Sequence, residues 1–130
     1  MIVVDASSIL PYLVDVADDA VWAADRLHGE AAFHAPELID AEVLHGLRRY
    51  LLRGKITEVL AVGAVADLLD ARIVRYPHRP LVMRAWELRG QLTPYDGLYV
   101  ALAEALDATL VTTDRRLARA ITSVDVAVPS

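Results

Sequence analysis

Four acidic residues, Asp5, Glu42, Asp96 and Asp114, are spaced so that an α/β fold is able to gather them. Asp5 ends an apolar run, Ile2-Val3-Val4, and Asp114 ends a second, Leu110-Val111-Thr112-Thr113. Residues at the carboxyl ends of parallel strands line a ligand crevice, and neighbouring strands lie about 4.7–4.9 Å apart. Two carboxylates ~4 Å apart repel by about 4 kcal/mol at an effective dielectric of about 20. A pocket of that kind either retains a proton or takes up a cation. A divalent metal is the expected occupant.

The elements needed to position these acids are visible as alternating strands and helices. Ile2 to Val4 reads as a short buried strand, followed by a helix capped at Ser7 or Ser8. A helix from about Ala17 to Leu27 stops at Gly29, and Ala31 to Ala35 reads as a strand. Pro36 is expected to open a long helix that reaches about Arg53 and stops at Gly54. Thr57 starts another helix, to about Leu69, and Arg72 to Arg75 reads as a strand closed by Tyr76-Pro77. A helix from about Leu81 to Arg89 follows, then one from Thr93-Pro94-Tyr95-Asp96 to about Leu106. Thr109 to Thr112 reads as a strand, Arg115 to Ile121 as a short helix and Val124 to Val128 as a last strand. The alternation predicts a mostly parallel sheet of about five strands between helical layers.

At 130 residues, 55% of them hydrophobic, the chain is sized for one domain (1–130) with a substantial core. It has no cysteine, which excludes disulfides, thiolate zinc sites and cysteine nucleophiles. No basic segment leads into an apolar one at the start, because Asp5 falls too early. The apolar stretch Val59 to Ala66 is far below the ~20 residues that cross a bilayer, so no membrane association and a cytoplasmic location are expected. The net charge of −5 argues against indiscriminate nucleic-acid binding. Yet Lys55 is the only lysine among 13 basic residues, and arginines cluster at 48, 49 and 53 and again at 115, 116 and 119. Arginine suits bidentate phosphate contacts; a solvated helix face is the plainer account of such clusters. The helix from Thr57 is apolar on most faces, more than a small domain is able to cover on every side, so it either serves as a partner surface or is accounted for by core packing alone.

Each acid also has a structural role open to it. Asp5 and Asp114 are placed to cap the helices that follow them, and Asp96 completes a capping box begun by Thr93. Capping does not exclude metal binding. On the long helix, Ile39, Val43, Leu47 and Tyr50 mark the buried stripe; Asp40 lies near it and Glu42 at its border. The wheel leaves both open, and a border position favours Glu42 slightly.

These residues resemble the PIN-domain family, in particular the toxins of VapBC toxin–antitoxin pairs. Ile2-Val3-Val4-Asp5-Ala6-Ser7 looks like the family's first strand and aspartate, and Leu38-Ile39-Asp40-Ala41-Glu42-Val43-Leu44 like its glutamate helix, which selects Glu42. Thr93-Pro94-Tyr95-Asp96-Gly97-Leu98-Tyr99-Val100-Ala101-Leu102-Ala103 is similar to its tyrosine–aspartate helix start, and Leu110-Val111-Thr112-Thr113-Asp114 to its fourth motif. Gly97 departs from the pattern, where alanine is more usual. The likeness runs in order along essentially the whole chain. It implies a three-layer α/β/α sandwich and a Mg²⁺- or Mn²⁺-dependent endoribonuclease that forms a homodimer and is neutralised by a cognate antitoxin.

On that reading Asp5, Asp96 and Asp114 hold the metal and Glu42 helps to position it, while a water attacks an RNA phosphodiester. Ser7 and Thr113 are expected to orient carboxylates or waters, and Arg115 and Arg116 to meet the substrate or the antitoxin. The four histidines form no HxxxH pair, which disfavours zinc, and no P-loop is present. A phosphoacceptor domain would want adjacent acids after the first strand, where the chain has Asp5-Ala6. A structure-specific DNA nuclease would want extra helical elements. A non-catalytic PIN-fold protein binding RNA or a partner is the alternative to the enzyme.

Overall fold

The computed structural model describes residues 1–16 and 18–130. Its centre is a five-stranded, wholly parallel sheet of β1 (Ile2–Val4), β2 (Phe33–Pro36), β3 (Ile73–Tyr76), β4 (Thr109–Val111) and β5 (Val126–Ala127). The order is β3-β2-β1-β4-β5. Parallel sheets need cover on both faces, which is why Ile2-Val3-Val4 is apolar throughout rather than alternating.

Right-handed crossovers decide which helix covers which face. From β1 the chain steps outward to β2 and β3 through α1 (Ala6–Leu13), α2 (Ala20–Leu27), α3 (Leu38–Leu52) and α4 (Glu58–Asp70), which pack on one another. It then crosses back to β4 through a 3₁₀ turn (Arg79–Leu81), α5 (Val82–Glu87) and α6 (Pro94–Leu106). Helix α6 lies across β1, β2 and β4, with α5 packed on it. The short α7 (Arg115–Ala120) leads to β5. The result is the three-layer α/β/α arrangement, and the direction of winding reverses between β1 and β4. In such sheets ligands sit beyond the strand ends at that reversal. Asp5 and Asp114 follow those two strands.

Several boundaries differ from the expectations above, each for a local reason. The start expected for α2, Ala17, lies outside the described residues, and the helix proper begins at Ala20. Pro36 closes β2 instead of opening α3. The amides of Phe33 and Glu37 donate to β3, at the carbonyls of Arg72 and Tyr76. By alternation the missing amide of Pro36 faces β1, whose pairing with β2 is confined to Val3 and His34. The single helix expected over 81–89 is a 3₁₀ turn followed by six α-helical residues, with Arg89 folded back over the Trp86 ring at 4.4 Å.

Helix α6 buries Tyr99, Val100, Ala101, Leu102 and Ala103, as a helix apolar nearly all round past its first turn, Glu104 excepted, should. Gly97, the departure noted above, is where α5 comes closest: a Cβ there would lie 3.2 Å from the Ala85 carbonyl oxygen. Across the sheet, α1 and α3 touch at Gly46, where a Cβ would overlap a methyl group of the buried Leu10. Gly46→Val is therefore expected to destabilise the fold by about 1–3 kcal/mol through overpacking. Urea unfolding reads this directly, and an unchanged midpoint would contradict the close approach.

Candidate active site

Asp5 is placed by four neighbours at once. Its amide donates to the Val111 carbonyl at 3.3 Å, prolonging the β1–β4 ladder. Its Oδ1 caps α1 by accepting from the Ser8 amide at 3.2 Å, so of the caps the sequence offered it is Asp5, not Ser7 or Ser8, that holds the position. The Ser7 hydroxyl donates to the same oxygen at 2.6 Å, and the Thr112 hydroxyl donates to Oδ2 at 2.5 Å. The Ser8 hydroxyl has its better acceptor in the Val111 carbonyl, at 2.9 Å.

Thr112 rather than Thr113 is thus the threonine that reaches the carboxylate. Side chains alternate along an extended segment, so only one of the pair faces Asp5. Thr112 is fully buried, whereas the Thr113 hydroxyl points to the Ser7 carbonyl at 3.4 Å. The Thr113 amide still serves the site by donating to Ser7 Oγ at 2.9 Å.

The other acids come from elements on either side. Asp114 caps α7, its Oδ1 accepting from the amides of Arg116 and Leu117 at 2.9 and 3.2 Å. Asp96 sits in the first turn of α6, with its amide bonded to Thr93 Oγ1 at 3.2 Å. Glu42, on α3, is held by the hydroxyl of Tyr99, which donates to Oε1 at 2.6 Å. Asp40 is engaged elsewhere: Arg75 of β3 grips both its oxygens, at 2.7 and 2.9 Å. Arg115 bonds the carbonyl of Ser130 at 3.1 Å, while the charge of Arg116 acts on Asp96.

Asp96 is the electrostatic centre of the group. Burial, above all, raises Asp5, Glu42 and Asp96 from ordinary carboxylate values, and repulsion adds to it. The charge of Asp96 raises both Asp5 and Glu42, and Asp114 raises Asp96. Hydrogen bonds from Ser7, Thr112 and Ser8 oppose the burial of Asp5, yet its pKa is pushed up to about 6. Burial and the neighbouring Glu42 drive the Tyr99 phenol upward, so it remains a donor at any ordinary pH.

Among the described residues no three acidic or histidine side chains stand close enough to hold a metal by themselves. The donor set nevertheless fits a hard divalent cation: it is all carboxylate oxygen, and burial disfavours the anionic forms of Asp5, Glu42 and Asp96 without a counter-charge. Mg²⁺ in particular keeps several waters and needs only one or two direct carboxylates.

Tyr99 and Thr112 received no role from the sequence. A tyrosine in an otherwise apolar buried helix needs a partner for its hydroxyl, and that signal was available. Thr112 carried none, because only the register of β4 against Asp5 distinguishes it from Thr113.

The fold and site together define a PIN domain, and the PIN-domain family model matches residues 2–121. Within that class the chain belongs with the VapC ribonucleases. It is 44% identical over 119 residues to Ribonuclease VapC1 of Mycobacterium tuberculosis, covering 91% of this chain and 89% of that one. Ribonuclease VapC9 of the same organism is 42% identical over 118 residues, 90% and 88% of the two chains. Among solved structures, M. tuberculosis VapC20, a sarcin–ricin loop cleaving toxin, matches with a TM-score of 0.73 at 18% identity, over 96% and 99% of the chains. VapBC2 from Rickettsia felis, bound to a promoter DNA fragment, matches with 0.71 at 16% identity over the full length of both. These last two speak to the fold alone.

The raised Asp5 pKa has a consequence for stability. The folded state holds this proton more tightly than the unfolded chain, whose value is near 3.8. The associated stability is complete below that value and is lost as pH rises through about 6. The loss is about 3 kcal/mol at neutral pH. Asp5→Asn, freed of divalent ions, should therefore melt several degrees above the parent chain at pH 7.5, with the gap closing near pH 4. A differential scanning series across that range checks it, and a gap independent of pH would contradict the account.

Proposed function

We propose that this chain is a Mg²⁺- or Mn²⁺-dependent endoribonuclease and the toxin of a toxin–antitoxin pair. The observation that carries the reading is the joining of Asp5, Glu42 and Asp114 through the charge of Asp96, in a chain that belongs with the VapC ribonucleases. Asp5, Asp96 and Asp114 would hold the ion, directly or through its waters. When bound, the ion acidifies water and offsets charge on the phosphoryl oxygens. Ser7 and Thr112 keep the Asp5 carboxylate in one orientation. Glu42, fixed by Tyr99, accepts hydrogen bonds from water at the same place. In the reaction the water oxygen bonds to phosphorus and the opposite P–O ester bond breaks. The water gives up a proton and the departing oxygen gains one. Arg116 draws the substrate phosphate toward Asp96.

The partners follow from surfaces outside the site. One side of α4 buries Ala61, Ala64 and Leu68, while Val59, Val62 and Leu69 are more than half exposed on the other. That apolar side suits a cognate antitoxin; similar chains include a VapBC complex from Salmonella typhimurium. A homodimer and a cytoplasmic location complete the proposal. Among the described residues no helix is long and apolar enough to cross a membrane.

Asp96→Asn should lower RNA cleavage by more than about 100-fold, beyond what loss of an outer-shell partner costs. Tyr99→Phe should fall in the outer-shell range, about 10–100-fold. Asp40→Asn should cleave like the parent, since its carboxylate serves Arg75. Chelation should abolish cleavage, and Mg²⁺ or Mn²⁺ should restore it. Gel assays of total RNA settle each point; unimpaired Asp96→Asn protein would end the reading.

A further inference from the structure

Helix α3 carries Glu42, yet its start is held from outside. The first amides of a helix have no partner within it. Glu37, at the N-cap of α3, is helical in backbone, and among the described residues its side chain forms no cap bond. The segment after β3 supplies two acceptors instead. The Glu37 amide donates to the Tyr76 carbonyl at 2.9 Å, and the Leu38 amide donates to His78 Nε2 at 3.0 Å. Pro77 lies between those two acceptors, and its ring-locked φ stiffens the link from β3 to the imidazole.

His78 is half-buried and is fixed on its other side as well. It lines an apolar cavity of about 210 Å³ together with Val82, Ala85 and Trp86 of α5 and Pro94 and Leu98 of α6. Its carbonyl accepts from the Leu81 amide at 2.8 Å, which closes the 3₁₀ turn. The imidazole therefore joins α3, on one face of the sheet, to the helices on the other. Glu42 follows Leu38 by four residues, one turn along the same face of α3, and bonds Tyr99 of α6. The stretch from Leu38 to Glu42 is thus pinned to the α6 side at both ends. Pro94 opens the helix whose first turn holds Asp96, so His78 stands between the starts of the two helices that bring Glu42 and Asp96.

We propose that His78 is a positioning residue for the acid site: its imidazole caps α3 across the sheet and thereby fixes where Glu42 stands relative to Asp96. Accepting at Nε2 calls for a neutral ring with its proton on Nδ1. Without that acceptor the first turn of α3 frays, and Glu42, whose amide bonds the Leu38 carbonyl within the helix, moves with it. Tyr99 holds the carboxylate but not the backbone beneath it. The inference rests on the ribonuclease reading for its kinetic part and adds a residue that touches neither metal nor RNA.

Two substitutions separate the acceptor from the bulk of the ring. His78→Leu fills the space without an acceptor, and His78→Gln returns an amide oxygen near the place of Nε2. Without RNA or metal, hydrogen exchange by NMR at the Leu38 and Glu42 amides should speed up about fivefold in His78→Leu and stay within about twofold in His78→Gln. With Mg²⁺, single-turnover cleavage of a labelled mixed-sequence RNA at saturating protein should slow about tenfold in His78→Leu, with half-saturation within about threefold of the parent. His78→Gln should recover the parent rate to within about threefold. Thr57→Ala removes the corresponding cap of α4, at the Leu60 amide, and should cleave like the parent. On a Glu42→Gln protein, His78→Leu should cost about twofold at most, since the group it positions is gone. Parent-like exchange or parent-like cleavage by His78→Leu would overturn the proposal. So would a His78→Gln protein as slow as His78→Leu, equal slowing by Thr57→Ala, or an undiminished loss on Glu42→Gln. Absence of RNA cleavage by the parent chain, with Glu42 exchange following the acceptor at position 78, would instead leave the positioning intact and remove the ribonuclease reading.

Discussion

Water is withdrawn from a carboxylate where the winding of the sheet reverses, and the local structure is arranged around that fact. Asp5 is 6% exposed because β1 and β4 pair beneath it and helices close over both faces. Isolated, such an anion would be intolerable; here the Ser8 amide and the Ser7 and Thr112 hydroxyls donate to it, and those two hydroxyls in turn accept from the Thr113 and Asp114 amides. They do not fully compensate. The residual cost keeps the folded protein ready for a counter-charge, so affinity for a cation and strain in its absence are the same quantity seen from two sides. Asp96 extends this beyond one residue, since its field reaches both Asp5 and Glu42.

What the sequence disclosed was the part fixed by local pattern. Apolar runs ending in aspartate announced β1 and β4, and Thr93-Pro94 announced the start of α6 with its threonine cap. What it concealed depended on partners distant in the chain. Asp40 and Glu42 are two residues apart and equally acidic; Arg75, across on β3, separates them by claiming the first. Tyr99, across on α6, holds the second. Thr112 and Thr113 are likewise distinguished only by where Asp5 falls in register. Pro36 misled because its helix-opening preference is a local tendency, and here one free flank of a short strand accommodates the missing amide.

Packing against α6 shows the same dependence on distant contacts. The first turn of that helix carries Asp96, and Gly97 beside it lets the backbone of Ala85 approach α6 closely. A glycine in a helix costs about 1 kcal/mol relative to alanine. The close seating of α5 is the gain set against it, and it braces the helix that carries Asp96 and Tyr99. The bidentate Arg84–Glu104 contact, at 2.7 and 3.0 Å, ties the same two helices further along. Its partly exposed setting limits its worth to the low range for ion pairs, so the seam relies chiefly on shape.

A site built from repelling acids has a second difficulty, which the arginines answer. The substrate class is itself a polyanion, and the chain's overall charge would hold it off. Attraction must therefore be local. The charge of Arg116, on α7, acts on Asp96, and Arg49 lines the groove between α1 and α3; among the described residues neither forms an ion pair with the acids. Near-exclusive use of arginine over lysine suits this role, because the planar guanidinium is permanently charged and weakly hydrated, and meets a phosphate with two bonds. A lysine at either position would carry the same charge with less directional hold. Cations at the margins and carboxylates at the centre are what the proposed function asks for, since a divalent ion would then be needed to bring the phosphate to the acids.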